Sequence, residues 1–145
     1  MAAVRSRENK LTELRMVAVL RCAKLRGWRR HLPIPGTPDF AFPARKLAIF
    51  IDGCFWHGCP RHFRMPSTNR RYWCRKIAAN KLRDRRTTCY LRRAGWTVLR
   101  IWEHEFSNAS RVASRCRFLL RAHSTHDNGP VSRLQGSATR ASIRP

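Results

Sequence analysis

The sequence predicts a mixed α/β domain in which a small β-sheet is flanked by helices. Two short apolar segments joined by a turn indicate a hairpin, a long basic segment indicates a helix, and a third apolar segment supplies another strand. With 145 residues, 43% hydrophobic residues, five Trp and seven Phe, the chain can bury the core of one domain. We predict a short arm over residues 1–11, the folded domain over residues 12–121, and a basic tail without regular structure over residues 122–145.

The first predicted helix covers residues 12–24. Thr12 is a candidate N-cap, Glu13 lies in the first turn, and Gly27 ends the pattern. Apolar residues recur at nearly helical spacing at Leu14, Val17, Ala18, Leu20 and Leu25.

A proline-rich loop and a β-hairpin should follow. Residues 31–38 contain three prolines and a glycine, which predicts an irregular segment leading to Asp39. Residues 39–42 and 46–51 then indicate two antiparallel strands joined at Pro43-Ala-Arg45. Because the second strand is continuously apolar, we expect it at the centre of the sheet.

Residues 69–94 predict a long basic helix with at most one break, which can bury one face and offer the other to phosphates. Its candidate DNA contacts are Lys76, Arg83 and Arg85. Gly95 ends this helix, residues 96–102 indicate a further strand, and residues 107–121 indicate a final helix.

The charge of the chain is extreme. Thirty-one Lys and Arg stand against eight Asp and Glu, which gives a net charge of +23 and a pI near 11.7. The basic residues lie among Trp, Tyr and Phe, as phosphate contacts beside stacking groups require, so nucleic acid is the favoured partner. No apolar run has the roughly eighteen residues of a membrane span, and the N-terminus is too charged for a secretory signal. We therefore predict a soluble intracellular protein with no membrane partner.

A cluster of metal-ligating residues follows the second strand. Cys54, Cys59 and His62 have the Cys-x4-Cys-x2-His spacing of a compact zinc knuckle. His104, at the end of the last predicted strand, is the favoured fourth ligand, and His57 is its competitor. The alternative is that both cysteines are buried thiols and His62 is a surface residue. We expect the remaining cysteines to be unligated: Cys22, Cys74, Cys89 and Cys116.

The same region could hold a hydrolytic site. Asp39 should lie at a strand end beside a loop, where a Mg²⁺-binding carboxylate would act on a phosphate. His57 could deprotonate the attacking water near neutral pH. Glu13 and Asp52 are either further active-site carboxylates or local neutralisers of the basic surface.

The Pro38-Asp39 hairpin resembles the core of restriction-type nucleases, although the following strand lacks their usual second carboxylate and lysine. More specific strings resemble the very-short-patch (Vsr) mismatch repair endonucleases over about residues 12–106. They are Pro38-Asp39-Phe, Phe50-Ile-Asp-Gly-Cys-Phe-Trp-His-Gly-Cys-Pro-Arg-His62, Tyr72-Trp73 with Lys76-Ile77, Asn80, Arg83-Asp84, Gly95-Trp96 and Trp102-Glu103-His104.

The resemblance implies a restriction-endonuclease-like fold with a structural Zn²⁺ and a Mg²⁺-dependent active site. Such an enzyme would nick double-stranded DNA 5′ of the thymine in a T·G mismatch left by deamination of 5-methylcytosine. It would act as a monomer in a prokaryotic cytoplasm, alongside mismatch-repair proteins and a cytosine-5 methyltransferase.

The resemblance also implies residue roles. Asp39 corresponds to the metal-binding aspartate, His57 to the catalytic histidine, and Glu13 to an assisting acid. The zinc ligands would be Cys54, Cys59, His62 and His104. The aromatic residues that wedge into the duplex would be Phe55, Trp56 and Trp73, which could alternatively be core residues. Asp52 departs from the family pattern, and it could be an extra metal ligand or orient a water.

Three other functions remain open from the sequence. A zinc-stabilised DNA-binding module without catalysis would use the same knuckle and basic helix. A nuclease of the same fold could have a different DNA target. A structural RNA binder of the ribosomal type would explain the charge, but not Pro38-Asp39 or the knuckle.

Overall fold

The computed structural model describes residues 3–122, with side chains from residue 10 onward. Its helices are α1 (Ala3–Cys22), α2 (Arg70–Arg93) and α3 (Ala109–Ala122). Its strands are β1 (Arg29–Arg30), β2 (Phe40–Phe42), β3 (Leu47–Asp52) and β4 (Thr97–Trp102). The predicted mixed α/β class is confirmed, and the predicted tail lies outside the described residues apart from its first residue, Ala122. Over residues 3–122, no helix combines the length and apolarity that crossing a bilayer requires.

The four strands form one sheet in the order β1-β2-β3-β4. The β1/β2 and β2/β3 pairs are antiparallel, so the predicted hairpin is present, whereas β3 and β4 are parallel. A parallel pair needs a long crossover, and α2 provides it. The central position predicted for β3 is correct. The two-residue strand β1 was not predicted, because two arginines carry no apolar strand signal.

Both faces of the sheet are covered by helices, which explains why β3 is apolar at successive positions. Leu47 and Ile49 point to one face, and Ala48 and Phe50 point to the other. On the first face, α1 and α3 pack in a core that includes Met16, Leu20, Phe40, Ile101, Val112 and Cys116. On the second face, α2 contributes Leu91, which packs with Ala48 and Phe50.

Helix α1 differs from its prediction in extent and in buried face. It begins at Ala3, so Thr12 lies inside the helix and is not its N-cap. Leu14 is 60% exposed, whereas Met16 and Leu20 are fully buried. Met16 and Leu20 lie three and seven residues after Glu13 and therefore on the same face of the helix. Glu13 is buried together with them and is only 7% exposed.

Helix α2 is continuous from Arg70 to Arg93 and nearly matches the predicted range. It buries Ile77, Asn80 and Leu91, while most of its basic side chains face outward. The last helix begins two residues later than predicted, because Glu103–Asn108 forms a 3-10 helix directly after β4.

Candidate active site and metal centre

The candidate active site lies where β2 begins and β3 ends. Asp39 immediately precedes β2, and its Oδ2 accepts a hydrogen bond of 2.7 Å from the backbone N–H of Ile51. Asp52 is the last residue of β3. A cleft of about 470 Å³ opens beside them, and its lining includes Asp39, Asp52, His57, Arg83, Asp84 and Arg100.

Asp39 is a carboxylate in an environment that disfavours its charge. Burial raises the pKa of Asp39 above its usual 3.8, the Ile51 N–H partly offsets this, and the negative charge of Glu13 raises the pKa further. A cation beside Asp39 would therefore stabilise its ionised form.

His57 lies on the loop over residues 53–69 and is held by a carboxylate from α2. Its Nδ1 is 2.6 Å from Oδ2 of Asp84 and 3.6 Å from Oδ1 of Asp52. An ionised carboxylate can only accept a hydrogen bond, so Nδ1–H donates to Asp84 and leaves Nε2 as the acceptor nitrogen. This is the arrangement that a general base requires.

Asp52 is paired with an arginine from the neighbouring strand. Arg100 donates from Nε to Oδ2 at 2.6 Å and from a terminal nitrogen to Oδ1 at 2.5 Å. The same terminal nitrogen is 3.3 Å from Oδ1 of Asp84. Burial alone would lower the pKa of Arg100, but its hydrogen bond with Asp52 and the charges of Asp52 and Asp84 outweigh that effect and raise it.

Glu13 is not one of the residues that line the cleft. It forms an ion pair with Arg30, and its Oε2 is 3.3 Å from Nε2 of His31. Its charge still affects the site, because it contributes to the raised pKa of Asp39. The structure therefore brings Asp39, Asp52 and His57 into one cleft and places Glu13 as a neighbour of Asp39.

The three aromatic residues predicted to wedge into DNA form one half-buried cluster. Phe55 meets Trp73 with ring centroids 5.1 Å apart and Trp56 at 5.2 Å, and the two tryptophans are 6.0 Å apart. The amide of Asn80 donates to the carbonyl of Trp56 at 2.8 Å and ties the cluster to α2. The cluster is continuous with the cleft, because Trp56 contributes to both.

Gly58 allows the loop to approach α2 closely. Its φ is +61°, and a Cβ at this position would lie 2.7 Å from Cε of Lys81 and 2.8 Å from Cγ2 of Ile77. A side chain here would push the loop away from α2, and His57 would move with it.

The candidate metal centre consists of Cys54, Cys59, His62 and His104, whose ligand atoms all lie within 4.8 Å of one another. With Zn–S near 2.3 Å and Zn–N near 2.0–2.1 Å, tetrahedral geometry requires a sulfur–nitrogen separation of about 3.6 Å. The separations to His104 Nδ1 are 3.1 Å from Cys54 and 3.7 Å from Cys59, and Cys59 is 3.8 Å from Nδ1 of His62. Two thiols and two imidazoles at these distances fit Zn²⁺.

The structure separates the two candidates for the fourth ligand position. His104 joins the cysteines, whereas His57 turns to Asp84. The backbone N–H of Cys54 also donates to Oε1 of Glu103 at 2.8 Å, so two successive residues after β4 hold the same loop. Burial raises the pKa of the Cys54 thiol to about 12, and a thiolate here therefore needs a cation.

The basic residues predicted on α2 have different surroundings. Arg83 lines the cleft with its side chain 61% exposed, and Arg85 is exposed but does not line the cleft. Lys76 is half-buried and lies one helical turn after Trp73, a member of the aromatic cluster.

Sequence reasoning assigned no role to Asp84 or Arg100. Each carried a signal. Asp84 is an acid within a strongly basic helix, and Arg100 is a charge inside the otherwise apolar stretch Val98–Trp102. An acid and a base that each depart from the pattern of their own segment would have suggested an ion pair between Asp84 and Arg100.

Comparison with known proteins places the chain in a family. The family model described as DNA mismatch endonuclease Vsr matches residues 1–62. Type II nicking enzyme V.NmeDIP from Neisseria meningitidis serogroup C is 36% identical over 112 residues, which cover 75% of this chain and 76% of the relative. The chain belongs to the Vsr family. The DNA mismatch endonuclease Vsr of Escherichia coli (strain K12) is also 36% identical, over 71% of this chain and 66% of that enzyme.

Other similarities have more limited reach. Type II nicking enzyme V.NaeI from Lentzea aerocolonigenes is 59% identical over 68 residues, but the match spans only 41% of that relative. The solved structure of the homing endonuclease I-Bth0305I catalytic domain superposes with a TM-score of 0.53 and 20% identity, covering 77% of this chain and 95% of that domain. This likeness supports the nuclease-like fold of the Vsr-family chain.

Proposed function

We propose that this Vsr-family chain is a Mg²⁺-dependent DNA endonuclease that nicks double-stranded DNA 5′ of the thymine in a T·G mismatch. The observation that carries the proposal is the shared cleft of Asp39 and the His57–Asp84 pair, which combines a carboxylate for a metal with an oriented imidazole. Relatives named as mismatch endonuclease and nicking enzymes support it.

The cleft residues fit Mg²⁺ through Asp39. Asp52 and Asp84 are engaged by Arg100 and His57, whereas the buried charge of Asp39 would be offset by a cation. Mg²⁺ commonly binds one or two carboxylates together with substrate phosphates. When bound, it would supply neutralisation of the non-bridging phosphate oxygens and of the leaving oxygen.

The protein's own residues would perform the remaining steps. Nε2 of His57 accepts the proton of the attacking water, while Asp84 holds Nδ1 and stabilises the imidazolium that results. Arg83, at the mouth of the cleft, contacts a backbone phosphate. The water oxygen forms a new bond to phosphorus as the P–O bond to the leaving oxygen breaks, and the leaving oxygen takes up a proton from solvent.

Mismatch recognition would use the aromatic cluster. A wobble pair stacks poorly, so inserting Phe55, Trp56 or Trp73 beside it costs less than in a matched duplex. The cluster is half-buried and continuous with the cleft, so insertion would occur next to the scissile phosphate.

The test is a cleavage assay with mapped product ends on T·G, matched and other mismatched duplexes, with each strand labelled separately. We expect one nick 5′ of the mismatched thymine that requires Mg²⁺. His57→Ala should reduce the rate by about 10²–10⁴-fold, the usual contribution of a positioned general base. Binding without cleavage would instead indicate a non-catalytic DNA-binding module. Equal cleavage of matched and T·G duplexes would indicate a nuclease with a different target.

A further inference from the structure

Arg100 connects two carboxylates that flank His57. Its fork occupies both oxygens of Asp52, and one of its terminal nitrogens also lies 3.3 Å from Asp84. We propose that Arg100 and Asp52 are positioning residues that hold Asp84 against His57. Asp52 Oδ1 is 3.6 Å from His57 Nδ1, which is beyond hydrogen-bond distance, so Asp52 acts chiefly through Arg100. The proposal rests on the proposed function, and it assigns Asp52 neither metal binding nor proton transfer.

Asp52 is poorly placed to bind a metal or to act as a base. It is 4% exposed, and each of its oxygens accepts a charge-assisted hydrogen bond of 2.5–2.6 Å from Arg100. Freeing either oxygen would leave the guanidinium without part of its partner in a partly buried site, which is costly. Although Asp52, His57 and Asp84 lie close enough together to hold a cation, Arg100 already supplies the positive charge there.

The two oxygens of Asp84 have different partners, and Oδ1 also lies 3.8 Å from a terminal nitrogen of the exposed Arg83 side chain. Oδ2 receives His57 Nδ1–H, and Oδ1 faces the shared terminal nitrogen of Arg100. Because both oxygens of the Asp84 carboxylate have partners, its rotation is restricted. The orientation of Oδ2 toward His57 is therefore restricted as well.

The anchor of this arrangement is the sheet. In the parallel register Phe50 lies opposite Arg100, and Asp52 is two residues further along β3 on the same face. The guanidinium also lies 5.0 Å from the centroid of the Phe50 ring. Asp84 is on α2 and His57 is on a loop, whereas Arg100 and Asp52 are on the paired strands β4 and β3. The Arg100–Asp52 pair therefore fixes the positions of Asp84 and His57 relative to the sheet.

The experiment is a double-mutant cycle of Asp52→Asn and Arg100→Gln on the full chain, with single-turnover rates measured on the T·G duplex. Arg100→Gln should reduce the rate by about 10- to 100-fold, because misplacing a catalytic group by roughly 1 Å costs on the order of 100-fold. DNA affinity and the Mg²⁺ concentration at half-maximal rate should remain near wild type. Adding Asp52→Asn to Arg100→Gln should cause no further loss, because Asp52 would act through a residue already removed.

A second measurement does not depend on cleavage. Long-range ¹H–¹⁵N correlation spectra at fixed alkaline pH report which ring nitrogen of His57 carries the proton. We expect Nδ1–H in wild type and a mixture of tautomers in Arg100→Gln and in the double variant. This readout remains decisive if wild type proves not to nick T·G duplexes, an outcome that would overturn the proposed function alone.

The controls separate positioning from general stability. Glu105→Gln removes the charge of a comparable ion pair with Arg115, away from His57, and leaves Arg115 to donate to the backbone carbonyl of Arg100, so the His57 tautomer should not change. If Arg100→Gln does not fold, Asp52→Asn alone still tests the proposal. A tenfold or greater rise in the Mg²⁺ requirement of Asp52→Asn would make Asp52 a metal ligand and overturn the proposal. Losses that multiply in the double variant, or a pure Nδ1–H tautomer without Arg100, would also overturn it.

Discussion

Replacing Cys59 with serine should release the loop that carries His57. Residues 53–69 contain no helix or strand, and the side chains that connect this loop to the end of β4 include the four candidate zinc ligands and Glu103. Cys59 is close to both histidines, so its loss removes the ligand that links His62 to His104.

The expected size of the effect follows from the ligand set. Structural zinc sites have apparent binding free energies of about 10–16 kcal/mol at neutral pH, so one ligand in four corresponds to about 2.5–4 kcal/mol. This is a loss of roughly 10²–10³-fold in zinc affinity.

The zinc affinity should also depend on pH. The pKa of the Cys54 thiol is raised to about 12 by burial, so zinc must displace its proton, and affinity should rise at least about tenfold per pH unit between about pH 6 and 8.

The assay is metal content by mass spectrometry, followed by competition with a chelating dye at several pH values. Wild type should contain one zinc per chain, and Cys59→Ser should contain much less and melt at a lower temperature. Cys89→Ser is the matched control, because Cys89 is an exposed free thiol on α2 outside the cluster. Folded, active wild-type protein without zinc would refute the reasoning, and so would an affinity that does not change with pH.

The remaining predictions concern the cleft and its surroundings. Asp39→Asn should abolish Mg²⁺-dependent nicking. Because burial raises the pKa of Asp39 above 3.8, wild type without metal should lose stability as pH rises from 3.8 through the raised pKa, and thermal melts should show a smaller loss in the variant. Trp73→Ala should weaken binding to the T·G duplex by about 1–3 kcal/mol, the usual value of an aromatic–base stack, and equal weakening on a matched duplex in a titration would contradict the wedge role. Gly58→Ala should lower stability by about 2–5 kcal/mol through its left-handed backbone and its contact with Ile77, and an unchanged melting temperature would show that the loop tolerates the shift.

The elements of the fold were largely predictable, because their signals are local. The hairpin, α2, β4 and α3 follow from apolar periodicity, Pro and Gly positions, and all lie within about two residues of their predicted ranges. The error at α1 has a physical reason. Thr12 has the chemistry of an N-cap, but a helix continues through such a residue when the preceding segment is also helical, as residues 3–11 are.

Most residues of the candidate site could be predicted from the sequence, but the contacts between them could not. The sequence spacing grouped Cys54, Cys59 and His62, but a choice between His57 and His104 depends on which strand lies beside β3. Likewise, Asp84 and Arg100 are 27 and 43 residues away from His57 along the chain, and no local rule pairs residues at such separations.

The sequence by itself determined the mixed α/β class, the need for a polyanionic partner, and the ligand types available for zinc and magnesium, because composition and short-range spacing encode these properties. Only the tertiary structure decided which charges neutralise each other. Parallel pairing of β3 with β4 sets Arg100 beside Asp52, and the α2 crossover brings Asp84 to His57. Long-range contacts of this kind arise from packing the described residues around one core, and that packing brings acids far apart in the sequence into one cleft.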